Sequence, residues 1–165
     1  YEIRQDMSVS ELEAKIKQNF EAKFTLELRE ELFRQDKTIH EIITMASLIE
    51  KEVRTPEDKK LVADILWKRL ENEIPLQVDA TVSYITGRKT IQITAEEKEI
   101  DSPYNTYKYR GLPFGPIANP GLESIEAALH PQESPYWYYL SAPDGKTIFS
   151  KTLEEHNIAK AKYLY

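Results

Sequence analysis

Residues 44–54, TMASLIEKEVR, set Glu50 and Glu52 two positions apart beside Met45, Leu48 and Ile49. A carboxyl kept partly out of water holds its proton toward neutral pH and can serve as a general acid. A carboxylate left in water at a helix end is only a solvated or ion-paired charge. Read as a helix, the segment carries an apolar stripe through Ile39, Ile42, Ile43, Ala46, Ile49 and Val53, at about 100° per residue. Glu50 projects into that stripe near Ile43 and Ala46, and Glu52 falls at its margin. Periodicity leaves either glutamate open as the desolvated one. A marginal position suits a group that must be partly dry yet reachable by a large substrate, which favours Glu52.

Other chemistries have less to build on. His40, His130 and His156 are scattered, and no His-Glu-x-x-His or carboxylate–histidine cluster is present, so neither a metal nor a cofactor is expected. There is no P-loop, no dinucleotide-binding glycine pattern and no Gly-x-Ser-x-Gly elbow. Cysteine is absent, which removes disulfides, thiolate metal sites and cysteine nucleophiles. The stretch DSPYNTYKYRGLPFGPIANPG has the makings of a sugar cleft. Tyr104, Tyr107, Tyr109 and Phe114 offer ring faces for pyranoses, and Asn105 and Thr106 offer hydrogen bonds for hydroxyls. The same tyrosines could equally cover a core.

The elements that must position these groups read as mainly helical. One helical stretch runs through SVSELEAKIKQNFEAKFTLELREELF, with Ser8 or Ser10 as its N-cap. A second covers 38–54. A third starts at Thr55-Pro56 and presents Leu61, Ile65, Leu66 and Leu70. Asp79 is expected to cap a short helix that Gly87 stops, and Thr94 to open another. Residues 101–121 form a loop too long for a mere connection. A helix is expected over 121–130, then a hairpin about Pro143-Asp144-Gly145, then a last helix entered by a Thr152/Glu155 capping box. The class is α+β, with a small antiparallel hairpin as its only sheet.

With 165 residues, 41% hydrophobic and 30% charged, the chain reads as one soluble globular domain. A formal charge of −6 with no Lys/Arg block argues against nucleic acid as a partner. No stretch reaches the ~18–20 apolar residues that span a bilayer. The start at Tyr1 reads as the excised piece of a longer protein.

ASLIEKEV, RLENEIPLQVDATVSY, SPYNTYKYRGLPFGPIANPGLESIEAALHP and FSKTLEEHN, in that order and spacing, resemble the YceG-like family over residues 38–160. The resemblance implies a lysozyme-like catalytic domain of a murein transglycosylase. Such enzymes cut the β-1,4 bond between N-acetylmuramic acid and N-acetylglucosamine in nascent glycan strands without water, leaving 1,6-anhydro ends. It implies Glu52, the second glutamate of Glu-Lys-Glu, as the catalytic acid, with Glu50 in support. It implies Gln77, Asp79, Thr81, Tyr104, Asn105 and Thr106 as cleft residues. Val53 departs from the hydroxyl residue expected after the catalytic glutamate. The resemblance further implies a bacterial parent with a single-pass plasma-membrane anchor and a LysM-like domain, neither within this chain, acting outside the membrane beside peptidoglycan synthases. Two rivals stand beside it. One is a noncatalytic glycan-binding or scaffold module with no use for Glu52, and the other is a hydrolase pairing Glu52 with Asp79.

Overall fold

The structure is a computed structural model that describes residues 3–88 and 93–164. The chain divides into two compact units, residues 1–38 and 39–165. In the first unit, α1 (Val9–Lys23) starts at Ser8, whose hydroxyl and Glu11 form a reciprocal capping box. Where the sequence reads as one continuous helix, the backbone breaks at Phe24. Thr25 then caps a separate α2 (Leu26–Arg34) by accepting from the Leu28 N–H. A threonine hydroxyl that can take an orphan N–H favours a new start over continuation. Phe24 stacks on Phe20, with ring centroids 4.7 Å apart, and is buried along with Leu32.

The second unit is built on α3 (Ile39–Glu52), α4 (Pro56–Glu71) and α7 (Leu122–Leu129), which pack on one another. Every residue from Thr44 to Ile49 is buried, so α3 is a central helix enclosed on all sides rather than an amphipathic one with a wet face. That is why a stripe argument could not separate Glu50 from Glu52. The α4 start is the one its sequence announces. Thr55 accepts from the Asp58 N–H, and Pro56 fills the first turn where no donor is needed. Trp67 buries its ring and donates Nε1–H to the Ala128 carbonyl, 2.8 Å, tying α4 to α7.

The α5 helix (Asp79–Thr86) corrects one expectation. Its N-cap is Val78, with no side-chain cap, and Asp79 is the first helical residue. Its carboxylate is thereby released for other work. Gly87 ends the helix in the left-handed region, φ 69°. A short α6 (Ala95–Lys98) follows, boxed by Thr94 and Glu97. The long loop is ordered from within by Asn105. Its amide donates to the Lys98 and Ile100 carbonyls, 3.0 and 2.8 Å, and its oxygen accepts from the Tyr107 N–H, 3.0 Å.

Strands β1 (Tyr138–Ser141) and β2 (Thr147–Ser150) pair antiparallel, Tyr138 opposite Ser150 and Ser141 opposite Thr147. The turn between them needs Gly145 at φ 86°. The final helix, α8 (Leu153–Tyr163), packs on this hairpin. Only half of the expected box forms at its start. Thr152 accepts from the Glu155 N–H, but the Glu155 carboxylate reaches past it to the Lys151 N–H, 2.7 Å. Thus the second unit is α+β, with the hairpin its only sheet among the described residues.

Candidate active site

Glu52 is the last residue of α3, and two further elements converge on it. From β1, the Tyr139 hydroxyl donates to Glu52 Oε2 at 3.0 Å, and Ser141 Oγ donates to the Glu52 backbone carbonyl at 3.2 Å. From α5, Asp79 lies close enough to act electrostatically on the carboxyl, and the Ala80 N–H is directed at it. Burial is the largest influence and pushes the Glu52 pKa up. The Tyr139 hydrogen bond pulls it down, the Asp79 charge pushes it up, and the Ala80 N–H pulls it down. The net result is about 7. A carboxyl poised there is protonated often enough to donate and ionised readily enough to accept.

Glu50 has the opposite surroundings. Burial pushes its pKa up, but the Ser124 hydroxyl, the Gly121 N–H at 3.2 Å and Lys59 at 3.6 Å together hold it below the ordinary carboxylate value. Gly121 is the N-cap of α7 and has no side chain to cap with, so Glu50 does the capping from α3. Lys59, 6% exposed, also reaches Glu123 at 3.2 Å. Glu50 is spent on holding α3 and α7 together.

Glu52 and Asp79 line two adjoining clefts. One, about 570 Å³, runs past Arg69, Gln77, Tyr107, Tyr138 and Tyr139 to His156 and Lys160. The other, about 490 Å³, runs past Ser83, Tyr84, Arg88 and Ile117. The two carboxyls therefore stand where the clefts meet. Asp79 is exposed and accepts from the Tyr107 hydroxyl. Burial and contact with Asp79 both drive the Tyr107 pKa upward, and burial and Glu52 do the same for Tyr139. Both phenols stay protonated donors.

The other expected cleft residues divide sharply. Gln77 lines the first cleft and accepts from Arg69 Nη2 at 2.7 Å. Its backbone is held at φ 55°, a left-handed conformation costly for a side-chain-bearing residue, and its N–H donates to the Thr106 carbonyl. Tyr104 packs on Tyr84, centroids 4.9 Å apart, and edge-on to Phe114. Thr81, Asn105 and Thr106 are each no more than 1% exposed, with no surface to offer a ligand. Thr106 Oγ1 accepts from the Val78 N–H and sits 3.0 Å from Thr81 Oγ1. These two residues fix the turn into α5 and hence the place of Asp79. Sequence reasoning missed Tyr139 and Arg69. The run YWYYL signals a strand, but which phenol meets a glutamate 87 residues away depends on the hairpin's packing. Among the described residues no cluster of His, Asp and Glu could hold a metal ion.

A family model described as the YceG-like family matches residues 1–162. The chain belongs to the YceG-like family. The endolytic murein transglycosylase of Bacillus subtilis is 46% identical over 136 residues, 82% of this chain and 38% of that protein. The Streptococcus pneumoniae protein of the same name is 35% identical over 133 residues, 77% of this chain and 24% of that protein. A yceG-like protein of Listeria monocytogenes, known from its crystal structure, superposes with a TM-score of 0.90 at 41% identity, over 97% of this chain and 52% of that one. The chain thus spans about half the length of that structure and less of the two transglycosylases.

Proposed function

We propose that this chain is the catalytic part of a lytic transglycosylase that cuts the MurNAc–GlcNAc β-1,4 bond within nascent peptidoglycan strands and so ends their elongation. The observation that carries the reading is the place of Glu52, at the end of α3 where two clefts meet, with burial pushing its pKa up. An endolytic cut needs room for sugars on both sides of the scissile bond, and that junction provides it. The relatives named endolytic murein transglycosylase support the same substrate. The work site is then the outer side of a bacterial plasma membrane, with glycan strands as substrate and peptidoglycan synthases as neighbours. Among the described residues, no helix is long and apolar enough to cross a membrane.

In this mechanism protonated Glu52 gives its proton to the glycosidic oxygen, and the bond to muramic C1 breaks as oxocarbenium character develops. The Glu52 carboxylate, now hydrogen-bonded by Tyr139 and the Ala80 N–H, takes the proton of the muramic C6 hydroxyl. That oxygen closes on C1 to give the 1,6-anhydro ring. Tethering supplies the high effective concentration of an intramolecular attack. The Asp79 carboxylate, free of capping duty, faces the same junction and can stabilise the developing positive charge.

That same freedom of Asp79 favours one second reading, a hydrolase in which Asp79 activates water. Digestion of peptidoglycan in oxygen-18 water separates the two. The transglycosylase yields ends one water lighter, unlabelled and resistant to borohydride. Heavy oxygen in most new ends means hydrolysis, and glycan left uncut by the full-length protein points to a noncatalytic module.

A further inference from the structure

The larger cleft has a second chemical character away from Glu52. Arg69, 8% exposed, lines it, donating from Nε and Nη2 to the Pro75 carbonyl and from Nη2 to Gln77 Oε1. Those acceptors are neutral. Among the described residues no carboxylate forms an ion pair with this guanidinium, and a buried cation lacking a counter-charge is unfavourable. Lys98 and Lys160 line the same cleft, likewise without an ion pair among the described residues. Lys98 Nζ lies over the Tyr107 ring, 4.8 Å from its centroid. His156 stacks on Tyr138, and burial, Lys160 and Arg69 all lower its pKa, so it adds little charge.

The carboxyls lining this cleft are Glu52 and Asp79. With Glu52 protonated, three cations face one anion inside a chain of formal charge −6. The cleft on the other side of Glu52 lacks this excess: of its two cations Arg88 is paired with Glu97 at 2.8 Å, which leaves Lys51 against Asp79. Positive charge is thus gathered on one side of the acid, in a cleft that Glu52 itself lines. A lipid pyrophosphate occurs only at the end of a strand, whereas an internal cut meets a peptide on every muramic sugar, and that peptide ends in carboxylates.

We propose that Arg69, Lys98 and Lys160 form an anion subsite that takes a carboxylate of the peptide borne by muramic acid, so that the enzyme selects peptide-bearing strands. The proposal rests on the murein reading above. The test measures binding rather than cleavage, by calorimetry on the Glu52→Gln chain, with a peptide-bearing GlcNAc–MurNAc tetrasaccharide whose carboxylates are free or capped as methylamides. Capping is expected to weaken binding tenfold or more. Adding Lys98→Gln and Lys160→Gln is expected to lower affinity for the free form by a similar factor and abolish the effect of capping. Lys160→Gln alone gives the same comparison, in reduced size, should the combined variant fail to fold. An equal effect of capping with and without the lysines, or no effect in either, overturns the subsite while leaving the glycan reading intact. Displacement by inorganic pyrophosphate at concentrations where capping makes no difference assigns the site to phosphate and overturns the peptide. Failure of every form, capped or not, to bind defeats the murein reading and the subsite with it.

Discussion

The Glu52 carboxyl is acted on from two directions, and the two can be separated by substitution. Burial and the Asp79 charge hold the proton on, while Tyr139 and the Ala80 N–H favour the carboxylate. In the proposed mechanism Glu52 must be protonated for the first step, so activity should decline as pH rises through its pKa. Asp79→Asn removes a charge that raises that pKa, and the alkaline limb of the kcat/KM profile should move to lower pH. Tyr139→Phe removes a donor that lowers it, and the limb should move to higher pH. Shifts of the same sign in both variants would break the assignment. Glu52→Gln should cut turnover by roughly 10²–10⁴-fold, the usual yield of a positioned general acid, with the fold kept. It should also change stability in a pH-dependent way. The Glu52 pKa is pushed up to about 7 in the fold from an ordinary 4.5, so the folded chain holds a proton the unfolded one releases between those values. Stability therefore falls as pH rises from about 4.5 to about 7, and by pH 8 the ionised group costs about 3 kcal/mol. Denaturant melts should find Glu52→Gln more stable than the parent at pH 8, with the gap closing near pH 4.

The joint between α3 and α7 shows what one carboxylate does for two helices. α7 begins at a glycine, so its orphan N–H groups have no local side chain to meet them, and Glu50 reaches across with Ser124 and Lys59 to complete the end. Glu50→Ala should destabilise the chain by about 1–3 kcal/mol, measured by thermal melting, and any loss of activity should follow the loss of fold. The Glu50 pKa is held low, so its contribution should be lost only as pH drops through the acid range below its ordinary value. Starts and stops with local causes could be read from sequence. Thr55-Pro56 opens α4, Gly87 closes α5, and Gly145 turns the hairpin. What escaped was decided at a distance. Val78 rather than Asp79 is the cap, its carbonyl accepting from the Thr81 N–H while Thr106 holds its own N–H, and Glu155 turns from Thr152 to Lys151. Tyr139 meets Glu52 only once the hairpin has packed.

Every side chain of the candidate site, from Glu52 to Lys160, belongs to the second compact unit, as do the buried faces of α3, α4 and α7. The first unit has its own stacked Phe20–Phe24 pair and buried Leu32, while α1 buries no residue of its own span. A chain of residues 39–165 should therefore melt cooperatively and give dispersed amide NMR signals, and it should bind glycan. A broad, non-cooperative transition would show that residues 1–38 complete the fold. From sequence the 165 residues read as a single domain, because no glycine- or proline-rich linker marks the step from Thr38 to Ile39. The turn between the helical segments is made instead by Asp36, held at φ 51°, with neither glycine nor proline to announce it.

The Glu-Lys-Glu order now has a meaning in helix polarity. Glu52 closes α3, where the last backbone carbonyls carry the negative end of the helix dipole and resist a second negative charge. Glu50, two residues earlier, points instead at the first N–H of α7, the positive end of another helix, which welcomes one. The same side chain on the same helix is thus an acid-in-waiting at one position and a permanent anion at the other. Exchanging the roles by moving the acid back to position 50 would fail even if the glycan could reach it, because a carboxyl there has already given its proton away.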